Sequence, residues 1–300
     1  MPLVGSRELV AEARASGRGV AAFNVITLEH AEAIAAGAEA AGMPAILQIS
    51  ENAVRFHGGR LAPVAAAAAA VARASGAPLA LHLDHVESFE LLRAAPESGF
   101  GSVMFDASKL SYAGNVAATA EAVRFGHAHG MWVEAELGRV GGKPGDREPE
   151  DGEPGGGEPE EGRGTLDAHA PGVRTDPAEA AAYTAATGVD ALAVAVGSSH
   201  AMTERTAVLD HALIGELRET VPVPLVLHGS SGVPDEELRR AVAAGMTKIN
   251  VGTALNTAFT GAVRAFLAQD ARAVDPRRYL SPAREAMART VAAFLKVVGG

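Results

Sequence analysis

The sequence predicts an α/β fold, a (β/α)8 TIM barrel with extra C-terminal helices, on three observations. Apolar runs rich in β-branched residues alternate with alanine-rich segments at helical spacing, about eight times over roughly 250 residues. The apolar runs are near-continuous, as in strands buried on both faces. Polar residues collect where those runs end, and barrel enzymes carry their chemistry at the C-terminal ends of strands. A doubly wound open sheet is the structural alternative, but no G-x-G-x-x-G opens a helix after an early strand. A single domain over residues 1–300 is expected.

Ser6 reads as the N-cap of a first helix over 7–16, stopped by Gly17 and Gly19. Strand one follows at 20–25. Leu28–Ala41 is helical, with Gly42 as its stop and Pro44 just beyond. Strand two is Ala45–Ser50, and the alanine-rich stretch 64–75 is the next helix. The apolar run 79–85 is strand three, followed by a helix at 88–98 and strand four at 102–107. A helix at 115–129 leads to strand five, Trp132–Leu137. After a break come helix Pro177–Thr187, strand six at 191–196, helix His211–Thr220 and strand seven, Leu225–Leu227. A helix at 234–244 ends at Gly245, strand eight is 247–251, and two C-terminal helices cover 255–269 and 282–298. The break, about 141–172, is dominated by Gly, Pro and Glu and cannot bury enough to order itself. It is expected to be a mobile acidic loop on the site-bearing face. A solvated insertion without chemistry is the alternative for its middle.

Composition narrows the function. The chain has 300 residues, 48% hydrophobic and 21% charged, with a formal charge of −10, an ordinary soluble balance. Eight acids face three bases between residues 143 and 164. The acidic excess argues against a nucleic-acid partner. Cysteine is absent, so any metal must be held by His, Asp or Glu, and a cytoplasmic location fits. No charged-then-apolar pattern opens the sequence. The longest charge-free apolar run, 61–72, is too short to cross a bilayer, so no membrane partner is expected.

Strand three sets the chemistry. It begins as an apolar run and delivers His82, Asp84 and His85. Buried polar groups cost free energy unless hydrogen-bonded, and buried charges need a partner or a metal. Strands six and seven lead to His200 and His228. Three strand-end imidazoles suit a zinc site with one open position. His82, inside its strand, is read as supporting. His30, His57, His127, His129, His169 and His211 fall in helices or loops and are read as surface residues. Other polar strand ends are Asn24, Ser50, Asp106, Ser108, Glu134, Glu136, Asn250 and Thr253. The segments Gly229-Ser230-Ser231-Gly232 and Asn250-Val-Gly-Thr253 follow strands seven and eight. On a barrel that is a common phosphate position, with glycine allowing close backbone approach. Two ordinary tight turns would look the same.

These residues resemble the class II, metal-dependent fructose-bisphosphate and tagatose-bisphosphate aldolases. The similarity runs nearly end to end through Ala22-Phe-Asn24, His82-Leu-Asp-His-Val-Glu-Ser88, Val133-Glu-Ala-Glu-Leu-Gly138, Leu227-His-Gly229, Lys248-Ile-Asn-Val-Gly-Thr253 and Asp275-Pro-Arg-Arg-Tyr279. The resemblance implies Zn2+ on His85, His200 and His228, and Asp84 as acid–base group at the substrate C4 hydroxyl. It implies a second or alternative metal position at Asp106 and Glu136. It implies phosphate and dihydroxyacetone contacts at Gly229, Ser231, Asn250 and Thr253, with Asn24 and Ser50 lining the substrate site. A monovalent cation, Na+ or K+, near the phosphate and a homodimer or homotetramer are also implied. The expected reaction cleaves or forms a ketose 1,6-bisphosphate, with zinc as Lewis acid on the ketose carbonyl.

The sequence departs from the family at three places. Pro144 stands where a loop Glu is expected, leaving Glu148, Glu150 and Asp151 as candidates for the acid that protonates C3. Ala201 follows His200 where relatives usually have Gly, and Arg205 is a candidate stand-in for a Lys. Gly252 replaces the Asp common in fructose-type enzymes, which leans toward tagatose or another ketose phosphate. Two further readings are a Schiff-base aldolase, for which Lys109 is the candidate at the right end of the barrel, and a zinc- and sugar-phosphate-binding paralogue without turnover.

Overall fold

The computed structural model describes residues 3–138, 140 and 174–300. Eight parallel strands close into a barrel in chain order: β1 (Val20–Asn24), β2 (Ala45–Ser50), β3 (Leu79–Val86), β4 (Ser102–Phe105), β5 (Trp132–Leu137), β6 (Ala191–Val194), β7 (Leu225–Leu227) and β8 (Met246–Val251), with β8 paired to β1. That closure excludes the open sheet. Among the described residues the helices are α1 (Ser6–Ala15), α2 (Leu28–Ala41), α3 (Glu51–Phe56), α4 (Leu61–Ala74), α5 (Phe89–Ala94), α6 (Tyr112–Ala128), α7 (Pro177–Thr187), α8 (His211–Thr220), α9 (Asp235–Ala244), α10 (Thr253–Gln269) and α11 (Pro276–Val298). The expected loop at 141–172, with Pro144, Glu148, Glu150, Asp151 and His169, lies outside the described residues.

Strand periodicity explains how the barrel positions a site. Residues two apart share a face. The inward series therefore run Val20–Ala22–Asn24, Ile46–Gln48–Ser50, Ala80–His82–Asp84 and Trp132–Glu134–Glu136. Each starts apolar and ends polar. The apolar members pack with Leu9, Val10 and Ala13 of α1, which closes the N-terminal end of the barrel. A separate apolar core fills the space between the strands and the surrounding helices.

Several local expectations change. Gly5, not Ser6, is the N-cap of α1. Ser6 is buried, donates from Oγ to Leu81 O at 3.4 Å and accepts from Ser102 Oγ at 2.7 Å, so tertiary contacts claim the hydroxyl that a cap would use. The short helix α3 follows β2 unannounced; Ser50 caps it by accepting from Ala53 N at 3.2 Å. Six residues are too few for periodicity to show. The last helix starts at Pro276, not 282. Asp275 caps it by accepting from Arg277 N at 3.0 Å, Pro276 suits its first turn, and Pro282 is carried inside it. His30 is buried rather than on the surface. It closes a capping box with Thr27 and stacks on Phe259 at 5.6 Å.

The C-terminal helix packs tightly on α2 at Gly37. A Cβ there would lie 2.6 Å from Ala288 O and 2.6 Å from Val291 Cβ. Gly37→Ala is therefore expected to lower stability by about 1–3 kcal/mol, as overpacking does, despite the better helix propensity of alanine. A urea-melt midpoint equal to the parent's would refute this close contact.

Candidate metal and active site

Four donor residues converge at the C-terminal end of the barrel. His85, Glu136, His200 and His228 each offer one ligand atom, and these atoms lie within 4.8 Å of one another. The ring centroids of His85, His200 and His228 are 4.8 to 5.7 Å apart.

The approach of His85 depends on a backbone irregularity. By strict alternation Asp84 and His85 would face opposite sides of β3. The pairing of β3 with β4 shifts register between Leu83 and Val86, and His85 has φ +48°. A bulge of this kind re-aims a side chain, and a left-handed non-glycine residue is a strained state found at functional sites. Both Asp84 and His85 thereby reach the same cavity.

Carboxylates fix two of the imidazoles. His85 Nδ1 lies 2.8 Å from Asp106 Oδ2, which turns Nε2 toward the cluster. His228 Nε2 lies 3.1 Å from Glu134 Oε1, and its Nδ1 lies 3.0 Å from Glu136 Oε2. Carboxylate–histidine pairs of this kind set the ring orientation and tautomer of metal ligands. Three imidazoles and a carboxylate, with no thiolate, form a donor set suited to a divalent metal such as Zn2+. Asp106 stands beside this group, engaged with His85 and accepting from Ser108 Oγ at 2.6 Å.

Burial and charge act against each other here. Burial pushes His228 down, but its bonds to Glu134 and Glu136 overcome that and raise it to about 9. Burial and the Lys248 ammonium push His82 down to about 3. Burial raises the Asp84 carboxyl, yet the nearby His85, Lys248 and His228 charges hold it below its usual range. Glu134 is likewise held down against its burial, chiefly by Lys248. A metal bound through His228 would displace its proton, so apparent zinc affinity of the metal-free protein is expected to rise about tenfold per pH unit below about pH 9. The raised value also stabilises the fold fully below pH 6.5, and that contribution fades as pH rises through about 9. Zinc titrations and melts at pH 6 to 9.5 check both; pH-independent affinity would refute the first.

The donors open onto a cavity of about 390 Å³. It is lined by Asn24, Ser50, Asp84, His85, Asp106, His200, Gly229, Ser231, Asn250 and Thr253 from the sequence-based set; Glu136 and His228 lie buried in the cluster. The amino end of α10 borders the cavity. Ser231 Oγ accepts from Gly252 N at 3.3 Å and Ala254 N at 3.0 Å. Gly229 has φ +68°, and a Cβ there would lie 2.5 Å from Ser199 O, so a larger residue would push the strand-six and strand-seven loops apart. Ala201 has φ +58°, the backbone state that glycine prefers.

Four residues of the site carry little signal in the sequence. Glu51, Arg55 and Glu87 line the cavity mouth, where Glu51 pairs with Arg55 at 2.6 Å and accepts from Glu87 N at 2.7 Å. Lys248, which the sequence places at the far end of strand eight, is fully buried and pairs with Glu134 at 2.9 Å. It opens the Lys248-Ile-Asn-Val-Gly-Thr253 segment of the resemblance, two residues before Asn250, but nothing in that segment names its partner. Arg205 donates to Val233 O and pairs with Asp235 at 2.6 Å, and it is not among the cavity-lining residues. Lys109 reaches the cavity but is half exposed and pairs with Glu87 at 2.8 Å, unlike the desolvated amine a Schiff base needs.

The family model for class II fructose-bisphosphate aldolase matches residues 4–300. A fructose-bisphosphate aldolase of Geobacillus stearothermophilus is 38% identical over 300 residues, covering 100% of this chain and 98% of the relative. The crystal structure of the YdjI aldolase from Escherichia coli K12 superposes with a TM-score of 0.79 at 28% identity, covering 99% of this chain and 97% of that one. A Campylobacter jejuni fructose-bisphosphate aldolase structure gives the same TM-score, 0.79, at 21% identity over 99% of this chain and 95% of that one, which speaks to the fold.

Proposed function

The chain belongs to the class II fructose-bisphosphate aldolase family, and on that premise we propose that His85, His200 and His228 hold a catalytic zinc beside Glu136, with Asp84 as the acid–base group. The activity is that of a class II ketose-bisphosphate aldolase, a carbon–carbon lyase of fructose or tagatose type. The observation that carries the site reading is the four-donor cluster at the floor of the cavity.

A divalent metal at this cluster supplies a Lewis acid for the ketose carbonyl. The chain's own groups do the rest. Asp84 is 1% exposed, its Oδ1 has no hydrogen-bond partner and its Oδ2 lies 3.9 Å from His85 Nε2. Held as a carboxylate, it takes the C4 hydroxyl proton in cleavage and returns it in condensation. The amino end of α10, with Gly229, Ser231 and Thr253 around it, offers N–H groups and hydroxyls to a phosphate. Asn24, Ser50 and Asn250 line the remaining polar wall. Glu148, Glu150 and Asp151 remain the candidates for the acid at C3.

The substrate we propose is fructose or tagatose 1,6-bisphosphate, giving dihydroxyacetone phosphate and glyceraldehyde 3-phosphate. A homodimer or homotetramer is proposed on family membership. No described helix is long and apolar enough to cross a membrane. Cleavage of both bisphosphates, measured side by side before chelation, after it and after zinc restoration, tests the reading. Metal-dependent cleavage supports it, and the ratio of rates ranks the two sugars. Activity surviving complete metal removal would overturn the zinc site. Zinc binding without turnover on either sugar would favour a binding paralogue or another ketose phosphate.

A further inference from the structure

Lys248 is a full ammonium side chain placed inside the barrel with 0% exposure. Such a charge is tolerated only when paired and hydrogen-bonded. Its Nζ lies 2.9 Å from Glu134 Oε2 and donates to Asn250 Oδ1 at 2.8 Å. Glu134 is also fully buried, and its other oxygen, Oε1, lies 3.1 Å from His228 Nε2. His228 then presents Nδ1 to the donor cluster. His82, beneath, is 3.8 Å from Glu134 Oε2 and is tied through Nδ1 to Ser102 Oγ at 2.9 Å. The path therefore runs from strand eight to strand five to strand seven, across the barrel interior.

Two features make this more than a packed ion pair. Replacing a buried pair by apolar residues is commonly neutral or stabilising, so stability alone is a weak reason for one. Here both oxygens of Glu134 are committed, one to the cation and one to a ring that faces the donors. The Lys248 contact to Asn250 also reaches a residue that lines the cavity. Within the barrel, Ala22, Ala80, Ala191 and Ala193 are all small, which leaves room for the long stem of Lys248.

We propose that Lys248 is a positioning residue for the metal site: by holding Glu134 in place, it fixes His228 in the orientation and tautomer that offers Nδ1 to the metal. This rests on the zinc reading above and deepens it. Without the ammonium, Glu134 has no cation to fix it and swings between His228 and His82. His228 then samples ring orientations that do not ligate.

The test is direct zinc titration of the purified full-length protein, with the absorption spectrum of the cobalt-substituted form as a second readout. Lys248→Met keeps the length and removes the charge. It is expected to weaken zinc binding about 10–100-fold, the usual cost of losing a supporting partner, and to change the cobalt spectrum while far-UV circular dichroism stays as in the parent. The double variant Glu134→Gln with Lys248→Met needs no counter-charge, and its amide oxygen still accepts from His228 Nε2. It is expected to recover to within a few-fold of the parent affinity, with the parent's cobalt spectrum. A space-filling role for Lys248 would not produce that rescue. Lys248→Met binding zinc within twofold of the parent, with an unchanged cobalt spectrum, would overturn the proposal. If Lys248→Met does not fold, the double variant decides. A parent-like cobalt spectrum supports the proposal, and binding as weak as that of Glu134→Ala overturns it. Failure of the parent itself to bind zinc would instead overturn the metal reading on which this rests.

Discussion

Asp84→Ala is expected to retain zinc and to lose about 10²–10⁴-fold in cleavage rate, the usual range for removing a general acid–base group. Asp84 is not one of the four clustered donors, so metal content should be unchanged. Its place at the cavity wall, with a buried and unpartnered Oδ1, leaves one oxygen available to a substrate hydroxyl. Its carboxyl is held below the usual carboxylate range against its burial, which suits a base for the C4 hydroxyl. Asp84→Asn is the sharper companion. It preserves shape and hydrogen bonding but cannot take the proton. Metal analysis together with steady-state cleavage separates the roles; unchanged turnover in either variant would remove Asp84 from the mechanism.

His228→Ala is expected to cost more than the 10–100-fold in metal affinity that follows loss of a supporting partner, because it removes a donor outright. Cleavage should fall with metal occupancy. The effect has a second origin. The His228 ring stands between Glu134 and Glu136, 3.1 Å from one and 3.0 Å from the other. Its removal leaves two buried carboxylates facing each other without the ring, so the metal-free variant should also be less stable than the parent. His85→Ala and His200→Ala should lose metal as well. His85 is 20% exposed and His228 fully buried, so the His85 change should disturb the fold less. Metal content equal to the parent's in all three variants would show that the cluster is not the metal site.

Much of the barrel was legible in the chain because its code is local. Continuous apolar runs, Gly42 and Gly245 at helix ends and the alternation of strand and helix depend on neighbours a few residues apart. Gly42 is left-handed in the structure, at φ +64°. The polar ends of the strands were legible for the same reason, since an inward series such as Trp132–Glu134–Glu136 is set by the period of two. Helix starts were less legible where a side chain had a stronger distant use. Ser6 bonds to Leu81 and Ser102 instead of capping.

The repeating βα order, the collection of polar residues at one end of it, and the residue types that can bind a metal in a chain without cysteine are all written in the linear chain. Tertiary structure alone decided which of those residues meet. Alternation would send Asp84 and His85 to opposite faces; the register shift beside them and the left-handed turn at His85 bring both to one cavity. Nothing within a strand says that Lys248 will find Glu134, 114 positions away, or that Glu134 will find His228. Those pairings follow from barrel closure. It places the inward faces of β5, β7 and β8 around one buried interior, where a buried charge must be matched by whatever the opposite strand presents.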